Sequence, residues 1–130
     1  MFFKDIYKYY KSIKSLGKSL RIGFHGHNNL GIANSNTFNC LENGFAFLDG
    51  TFMGVGRGAG NACLEHLLIN YHKELNFKKN KIINLLKLSN IFKTRTRIES
   101  PNNSYNTLCG IMKIHERNIK EFEKVKKIFK

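Results

Sequence analysis

Two histidines separated by one glycine are the residues of this sequence best suited to metal chemistry. His25 and His27 flank Gly26. Residues two apart on a strand face the same side, so a strand here would bring both imidazoles to one ion. Neutral imidazoles suit zinc, manganese, iron or cobalt. Most metal sites need a third protein ligand, usually a carboxylate. The pair is therefore either an incomplete metal site or two unrelated histidines at a strand end.

A run of glycines at alternate positions from 54 to 60 is the second candidate feature, and Asn61 follows it. The run formally meets the G-x-G-x-x-A dinucleotide fingerprint. However, Glu74, the acidic residue about twenty positions on, has no predicted strand before it. Backbone amides before a helix also bind carboxylate or phosphate oxygens, and a flexible loop without a ligand is the alternative. Asn61 stands where the N-cap of the next helix is expected.

The elements that must position these residues follow from hydrophobic spacing and glycine stops. The predicted elements are a helix over 3–16, a strand over 20–25, a helix over 33–43, a strand over 45–49 and a helix over 62–71. This alternation is typical of βα units around a parallel sheet. Beyond residue 72 the sequence predicts a helix over 81–88, a turn-rich segment over 93–106 and a basic helix over 119–130. Two strands are too few for an independent parallel sheet, so we expect a larger architecture.

Composition and charge narrow the classes of partner. The net charge of +13 lies on the flanks, because residues 22–72 carry a net charge of −2. A nucleic-acid interface is therefore not predicted, since the basic side chains avoid the region that carries the motifs. The uncharged run 22–41 contains five asparagines and two histidines, so no membrane segment is predicted either. Three cysteines without a CxxC pair fit a reducing cytoplasm.

The segment IGFHGHNNLGIANSNTFNCLENGFAFLDGTFMGVGRGAGNACLE resembles one known superfamily. Four features carry the match: HxHNxLG, the Asn36-Thr37 pair, the strand that contains Asp49, and GxGxGAGN. They resemble the C-terminal part of the catalytic barrel in the pyruvate-aldolase and 3-hydroxy-3-methylglutaryl-CoA lyase-like superfamily, the DRE-TIM metallolyases. The run MGVGRGAGNA is most similar to the 4-hydroxy-2-oxovalerate aldolase branch.

This resemblance implies a fold and a set of site residues. Residues 1–75 would be the C-terminal portion of a TIM (β/α)8 barrel, and residues 76–130 a basic helical extension. His25 and His27 match the family's metal-binding histidines, and Asn61 matches an asparagine that joins the metal in the CoA lyases. Gly56, Arg57 and Gly58 are the predicted substrate-binding residues, with Arg57 facing a substrate carboxylate.

The resemblance also implies an activity and its partners. It implies a divalent-metal-dependent aldolase that cleaves a 4-hydroxy-2-oxo acid to pyruvate and an aldehyde. Manganese is the favoured ion, and magnesium and zinc are the alternatives. The family's metal-binding Asp, its Arg and its base come from the first strand, which has no counterpart here, so no catalytic residue is assigned. The alternatives are a Claisen-type acyltransferase of the isopropylmalate or homocitrate synthase kind, a non-catalytic fragment, or one part of a split barrel completed by a partner chain or a second copy.

Overall fold

The fold is known from a computed structural model that describes residues 1–73, 76–98, 104–114, 118, 124 and 127. Its elements are α1 (Phe3–Leu16), β1 (Gly23–Phe24), α2 (Ala33–Glu42), β2 (Phe47–Leu48), a 3₁₀ turn (Phe52–Gly54), α3 (Leu64–Asn70), α4 (Lys79–Thr96) and α5 (Ser104–Ile111). β1 and β2 pair in parallel, and α2 connects them. The predicted α/β class with a parallel pair is confirmed.

The first core lies between α1, α2 and the strands. Ile6 of α1 is buried with Cys40 and Phe45, and the Tyr10 ring lies 4.3 Å from the Phe45 ring. α1 ends before Gly17, as the sequence predicts, because its apolar positions stop there. α2 also ends close to the predicted point, and Gly44 follows it with a φ of 82°, which glycine adopts at little cost. These contacts fix the strands against the helices.

Each strand is shorter than predicted, since only two residues of each form the regular ladder. Gly23 pairs with Phe47 and Phe24 with Leu48. Backbone hydrogen bonds continue on both sides, from the Ala46 amide to the Ile22 carbonyl at 2.7 Å and from the Asp49 amide to the Phe24 carbonyl at 3.1 Å. The residues after both strands therefore lie side by side at the carboxyl end of the sheet.

The predicted N-cap role of Asn61 is wrong. α3 begins at Leu64, and the Asn61 backbone instead forms an antiparallel bridge with His27. Cys63 is the N-cap instead, and Asn34 from α2 holds its backbone: the Asn34 Oδ1 accepts the Cys63 amide at 2.9 Å and its Nδ2 donates to the Cys63 carbonyl at 3.0 Å. Pairing with the chain after β1 removes Asn61 from the helix, because one backbone cannot satisfy both hydrogen-bond patterns.

α4 is longer than the predicted helix over 81–88, and the prediction of a turn-rich segment over 93–106 is wrong for residues 93–96 and 104–106, whereas residues 97 and 98 lie outside the helices. Residues 93–96 complete α4, and residues 104–106 begin α5. α4 packs against α3 and the 3₁₀ turn, with Leu85 and Ser89 buried and the Phe92 ring 5.8 Å from the Phe52 ring. This tertiary contact extends the helix beyond its apolar sequence pattern.

Four further predictions concern the C-terminal helix, membrane segments, the cysteines and the domain boundary. The predicted basic helix over 119–130 falls mostly outside the described residues. None of the helices in the described ranges is long and apolar enough to cross a bilayer. Cys40, Cys63 and Cys109 all carry free thiols, as expected from their odd number and spacing. The boundary between residues 75 and 76 stays a prediction.

Candidate metal site

The two histidines lie together at the carboxyl end of β1, and both are exposed. Their ring centroids are 5.0 Å apart, and their planes are nearly perpendicular. Two imidazole rings at this separation are close enough for a nitrogen of each to reach one ion, since metal–nitrogen distances are about 2.1 Å. The spacing suits two imidazoles on one ion.

A carboxylate that sequence reasoning left out of the site contacts the first histidine. Asp49 Oδ2 lies 3.2 Å from His25 Nδ1. Asp49 follows β2 directly, as His25 follows β1, and the pairing of Phe24 with Leu48 brings the two positions side by side. The sequence contained a signal for this contact, because both residues end apolar strand segments. Predicting the contact also required the register of the two strands, which the sequence did not show.

The glycine-containing loop lies beside the histidines, as predicted. The Asn28 amide donates to the Gly60 carbonyl at 2.8 Å, and the Ala62 amide donates to the Gly26 carbonyl at 3.1 Å. The chain on either side of Asn61 is therefore hydrogen-bonded to the segment that holds the histidines. This places the end of the loop at the carboxyl end of the strands.

The predicted substrate-binding residues, Gly56, Arg57 and Gly58, lie earlier in the same loop. Gly58 has a φ of 56°, in the region that favours glycine. Arg57 is exposed, and no hydrogen bond or ion pair joins its guanidinium to another part of the chain that the structure describes. A Cβ on Gly56 would lie 2.6 Å from Asn61 Nδ2, so the Asn61 side chain packs closely against Gly56. The structure brings Gly56 next to Asn61 and leaves Arg57 in solvent.

The side chain of Asn61 is the remaining candidate ligand. Its Nδ2 donates to the Val55 carbonyl at 3.2 Å, whereas its Oδ1 is buried and has no hydrogen-bond partner among the described residues. A buried amide oxygen without a donor costs free energy unless another group satisfies it. This amide oxygen belongs to the residue whose backbone pairs with His27. A divalent ion would satisfy it.

The donor set is incomplete for a metal ion. Across residues 1–73, 76–98 and 104–114, no three side chains of His, Cys, Asp or Glu form a group that could hold one. Two imidazoles and one amide oxygen bring no negative charge, so a divalent ion would be held weakly by these residues alone. The residues present fit part of a divalent-metal site, and further ligands must complete it.

Glu65 is the second residue that sequence reasoning missed, and it supports the loop. The side chain is buried, and its oxygens accept the Met53 amide at 2.9 and 3.1 Å, the Cys63 thiol at 3.1 Å and the Ser89 hydroxyl. Burial raises the pKa of Glu65, but these hydrogen bonds lower it more, so the pKa lies below 4.5. The Met53 amide that the carboxylate accepts belongs to a residue with a φ of 54°, an uncommon value outside glycine.

A cavity of about 250 Å³ opens beside the histidines. Polar and apolar groups both line it, including His25, His27, Asn29, Phe24 and Leu30. Its mixed lining suits a small molecule with a polar head and a short carbon chain.

Comparison with known proteins gives relatives for half of the chain. An oxaloacetate decarboxylase from Mycobacterium tuberculosis is 45% identical over 65 residues, covering 50% of this chain and 19% of that protein. A 4-hydroxy-2-oxovalerate aldolase from Thermus thermophilus is 45% identical over 64 residues, covering 49% and 18%. Another, from Carboxydothermus hydrogenoformans, is 50% identical over 50 residues, covering 38% and 15%. The chain thus spans less than a fifth of the length of these relatives.

A solved structure and a family model extend the match. The N-terminal domain of a putative aldolase from Bacteroides vulgatus superposes with a TM-score of 0.75 at 25% identity, covering 94% of this chain and 40% of that one. The HMGL-like family model matches residues 3–97, from α1 to the end of α4. The predicted aldolase-like relationship is confirmed, and the chain belongs to the HMGL-like family.

Proposed function

We propose that this chain contributes the metal-holding part of a carbon–carbon lyase site that cleaves a 4-hydroxy-2-oxo acid to pyruvate and an aldehyde. The observation that carries this proposal is the pair of histidine rings, 5.0 Å apart, beside the glycine-containing loop in a member of the HMGL-like family. The 4-hydroxy-2-oxovalerate aldolases among its relatives support the substrate class.

The proposed architecture is the last part of a TIM barrel. Residues 1–75 would supply two strands and their helices, and residues 76–130 would form a helical extension. Two observations support this: the parallel pair β1–β2, and the position of His25 and Asp49 directly after these strands. Active sites of such barrels collect at the carboxyl ends of the strands.

Each candidate residue has a proposed role. His25 and His27 hold a divalent ion, for which manganese is the first candidate and magnesium and zinc the alternatives, and Asn61 Oδ1 adds a ligand. The bound ion supplies Lewis acidity toward the substrate's carbonyl group. Gly56 and Gly58 leave room for the substrate to approach the loop backbone, and Arg57 binds its carboxylate through charge-assisted hydrogen bonds. Exposure of Arg57 leaves it available for this contact.

The site needs groups from outside the described residues. A carboxylate ligand, a base and a further cation would come from outside these residues, and a partner chain and a second copy are two sources. The absence of a group of three acidic, histidine or cysteine ligands in the described ranges supports this. Without a base and a positioned carboxylate ligand, the proton transfer and substrate orientation that the reaction needs are lost.

A second candidate reaction is decarboxylation of a 2-oxo acid. The relative named oxaloacetate decarboxylase favours it, at 45% identity over 65 residues. Both reactions break a carbon–carbon bond and leave negative charge next to the carbonyl group of a 2-oxo acid. The same two histidines would serve either substrate, because the ion that they hold would act on the 2-oxo acid carbonyl group that both substrates share.

Binding of Mn²⁺ to the full chain tests the role of the histidines. Titration followed by electron paramagnetic resonance should show weak binding that His25→Ala and His27→Ala each reduce by about tenfold or more. His66→Ala is the matched control, because His66 is exposed on α3, outside the candidate site, and this variant should bind like the wild type. Equal binding by all four proteins would refute the metal site.

Product formation tests whether copies of the chain complete the site. We expect the chain alone to release no pyruvate from 4-hydroxy-2-oxovalerate or from oxaloacetate in the presence of Mn²⁺, because the described residues place neither a base nor a carboxylate ligand at the site. Metal-dependent turnover that disappears in His25→Ala would contradict this expectation and show that copies of the chain complete the site. Comparing the two substrates would then distinguish an aldolase from a decarboxylase.

A further inference from the structure

The contact between Asp49 and His25 has a chemical consequence for the metal site. A neutral imidazole carries one proton, on either Nδ1 or Nε2, and only the other nitrogen can bind an ion. Asp49 Oδ2 lies 3.2 Å from His25 Nδ1. An ionised carboxylate only accepts hydrogen bonds, so this contact favours the form with the proton on Nδ1.

We propose that Asp49 is a positioning residue that holds the proton of His25 on Nδ1 and thereby keeps Nε2 free for the metal ion. This inference rests on the proposed function for its metal, but the pairing itself is a property of the chain. Metal-binding histidines commonly donate their second ring nitrogen to a carboxylate, which fixes both the tautomer and the ring orientation.

The backbone places the two residues side by side. His25 and Asp49 each follow a strand directly, and the strands are in register through Phe24 and Leu48. The Asp49 amide also donates to the Phe24 carbonyl at 3.1 Å, which ties its backbone to the residue before His25. The carboxylate therefore approaches the ring from the neighbouring strand.

The alternative role, Asp49 as a third metal ligand, agrees less well with the structure. Its carboxylate contacts Nδ1 of His25, and no group of three potential ligands is found within the described ranges. The pair is also well exposed, with 48% of the His25 and 66% of the Asp49 side chain accessible. Exposed ion pairs add little to folding stability, so the contact is better explained by orientation than by stabilisation of the fold.

Nitrogen-15 NMR of the metal-free full chain reads the tautomer directly. At pH 8.5, where neutral imidazoles predominate, we expect His25 to carry its proton on Nδ1 in the wild type. Asp49→Ala should shift the proton toward Nε2, and Asp49→Asn should shift it less, since an amide oxygen still accepts a hydrogen bond. Glu42→Gln, an exposed acid on α2, is the control and should leave His25 unchanged.

Mn²⁺ titration of the same proteins links the tautomer to binding. Asp49→Ala should weaken binding by about 10- to 100-fold, and Asp49→Asn by less. A wild-type proton on Nε2, a tautomer that ignores Asp49→Ala, or Mn²⁺ affinity unchanged in Asp49→Ala would each overturn the proposal. If the wild type bound no Mn²⁺, the proposed function would fail, while the tautomer shift would still decide whether Asp49 orients His25.

Discussion

Replacing Glu65 by glutamine tests how the loop beside the candidate site is held in place. The carboxylate accepts hydrogen bonds from the Met53 amide, the Cys63 thiol and the Ser89 hydroxyl, so both of its oxygens face donors. Glutamine keeps one acceptor oxygen and turns an amide group, itself a donor, toward the remaining donors. The change should therefore loosen the 3₁₀ turn, α3 and α4 together.

The size of the effect follows from these hydrogen bonds. A hydrogen bond to a charged group contributes roughly 1.5–3 kcal/mol, and the neutral side chain recovers part of this because it is easier to bury. We expect Glu65→Gln to lower the free energy of unfolding by about 2 kcal/mol at pH 7. For a chain of this length, that corresponds to a fall in Tm of about 6–10 °C.

Urea denaturation followed by circular dichroism measures the difference, with Glu42→Gln as the matched control. Glu42 is exposed and accepts one hydrogen bond, from the Tyr71 hydroxyl at 3.3 Å, so its variant should stay within about 0.5 kcal/mol of the wild type. Equal stability of Glu65→Gln and the wild type at pH 7 would refute the role assigned to the carboxylate.

The pH dependence provides an independent check. The pKa of Glu65 is lowered below 4.5 in the folded chain, so the folded state binds fewer protons than the unfolded state as the pH falls past this value. The stabilisation by the carboxylate is fully present above pH 4.5 and is lost as the pH falls through the lowered pKa. The difference between the wild type and Glu65→Gln should therefore shrink in acid. A difference that grows would contradict this assignment.

Two further predictions concern the loop and the thiols. Gly56→Ala should displace Asn61, because the new Cβ would lie 2.6 Å from its Nδ2, and should lower both Tm and Mn²⁺ affinity. Gly17→Ala is the control, since its Cβ would meet the nearest atom at 3.5 Å, and equal effects of the two variants would contradict the explanation. Burial raises the pKa of Cys40 to about 12 and that of Cys63 to about 11, so both thiols should react slowly with iodoacetamide at pH 7 until urea unfolds the chain. Rapid labelling of the folded chain at pH 7 would argue against the raised pKa values. Because the folded state holds these protons more tightly than the unfolded state, the stability that the protonated thiols provide should be full below pH 9 and fall as the pH rises toward 11.

Local sequence signals predicted the first half of the fold well. α1 and α2 have strong signals at their ends, because Gly17 follows α1 directly and Gly44 follows Asn43, the C-cap of α2. The parallel pairing also followed from the order of elements, since a helix between two strands brings them side by side. These features depend on residues close together in the chain, which is why spacing alone was sufficient.

Contacts between distant residues explain what the sequence did not show. Asn61 has the right residue type for an N-cap, but its backbone pairs with His27, and Asn34 binds Cys63 across 29 positions of sequence separation. The length of α4 was missed because Ser89, a polar residue, interrupts its apolar face. Its partner Glu65 satisfies it in the folded chain.

The same contacts explain how the loop is anchored beside the histidines. At the end of the loop, the Gly60 carbonyl is bonded to the chain after β1. At its beginning, Thr51 exchanges hydrogen bonds with Ala62 and Leu64 at 2.9 Å each, and Glu65 holds the Met53 amide. Residues 56–58 lie between these anchored ends, and Arg57 is exposed there. The hydrogen bonds at both ends, and the close packing of Gly56 against Asn61, therefore hold the loop backbone beside the histidines, while the Arg57 side chain between them faces solvent.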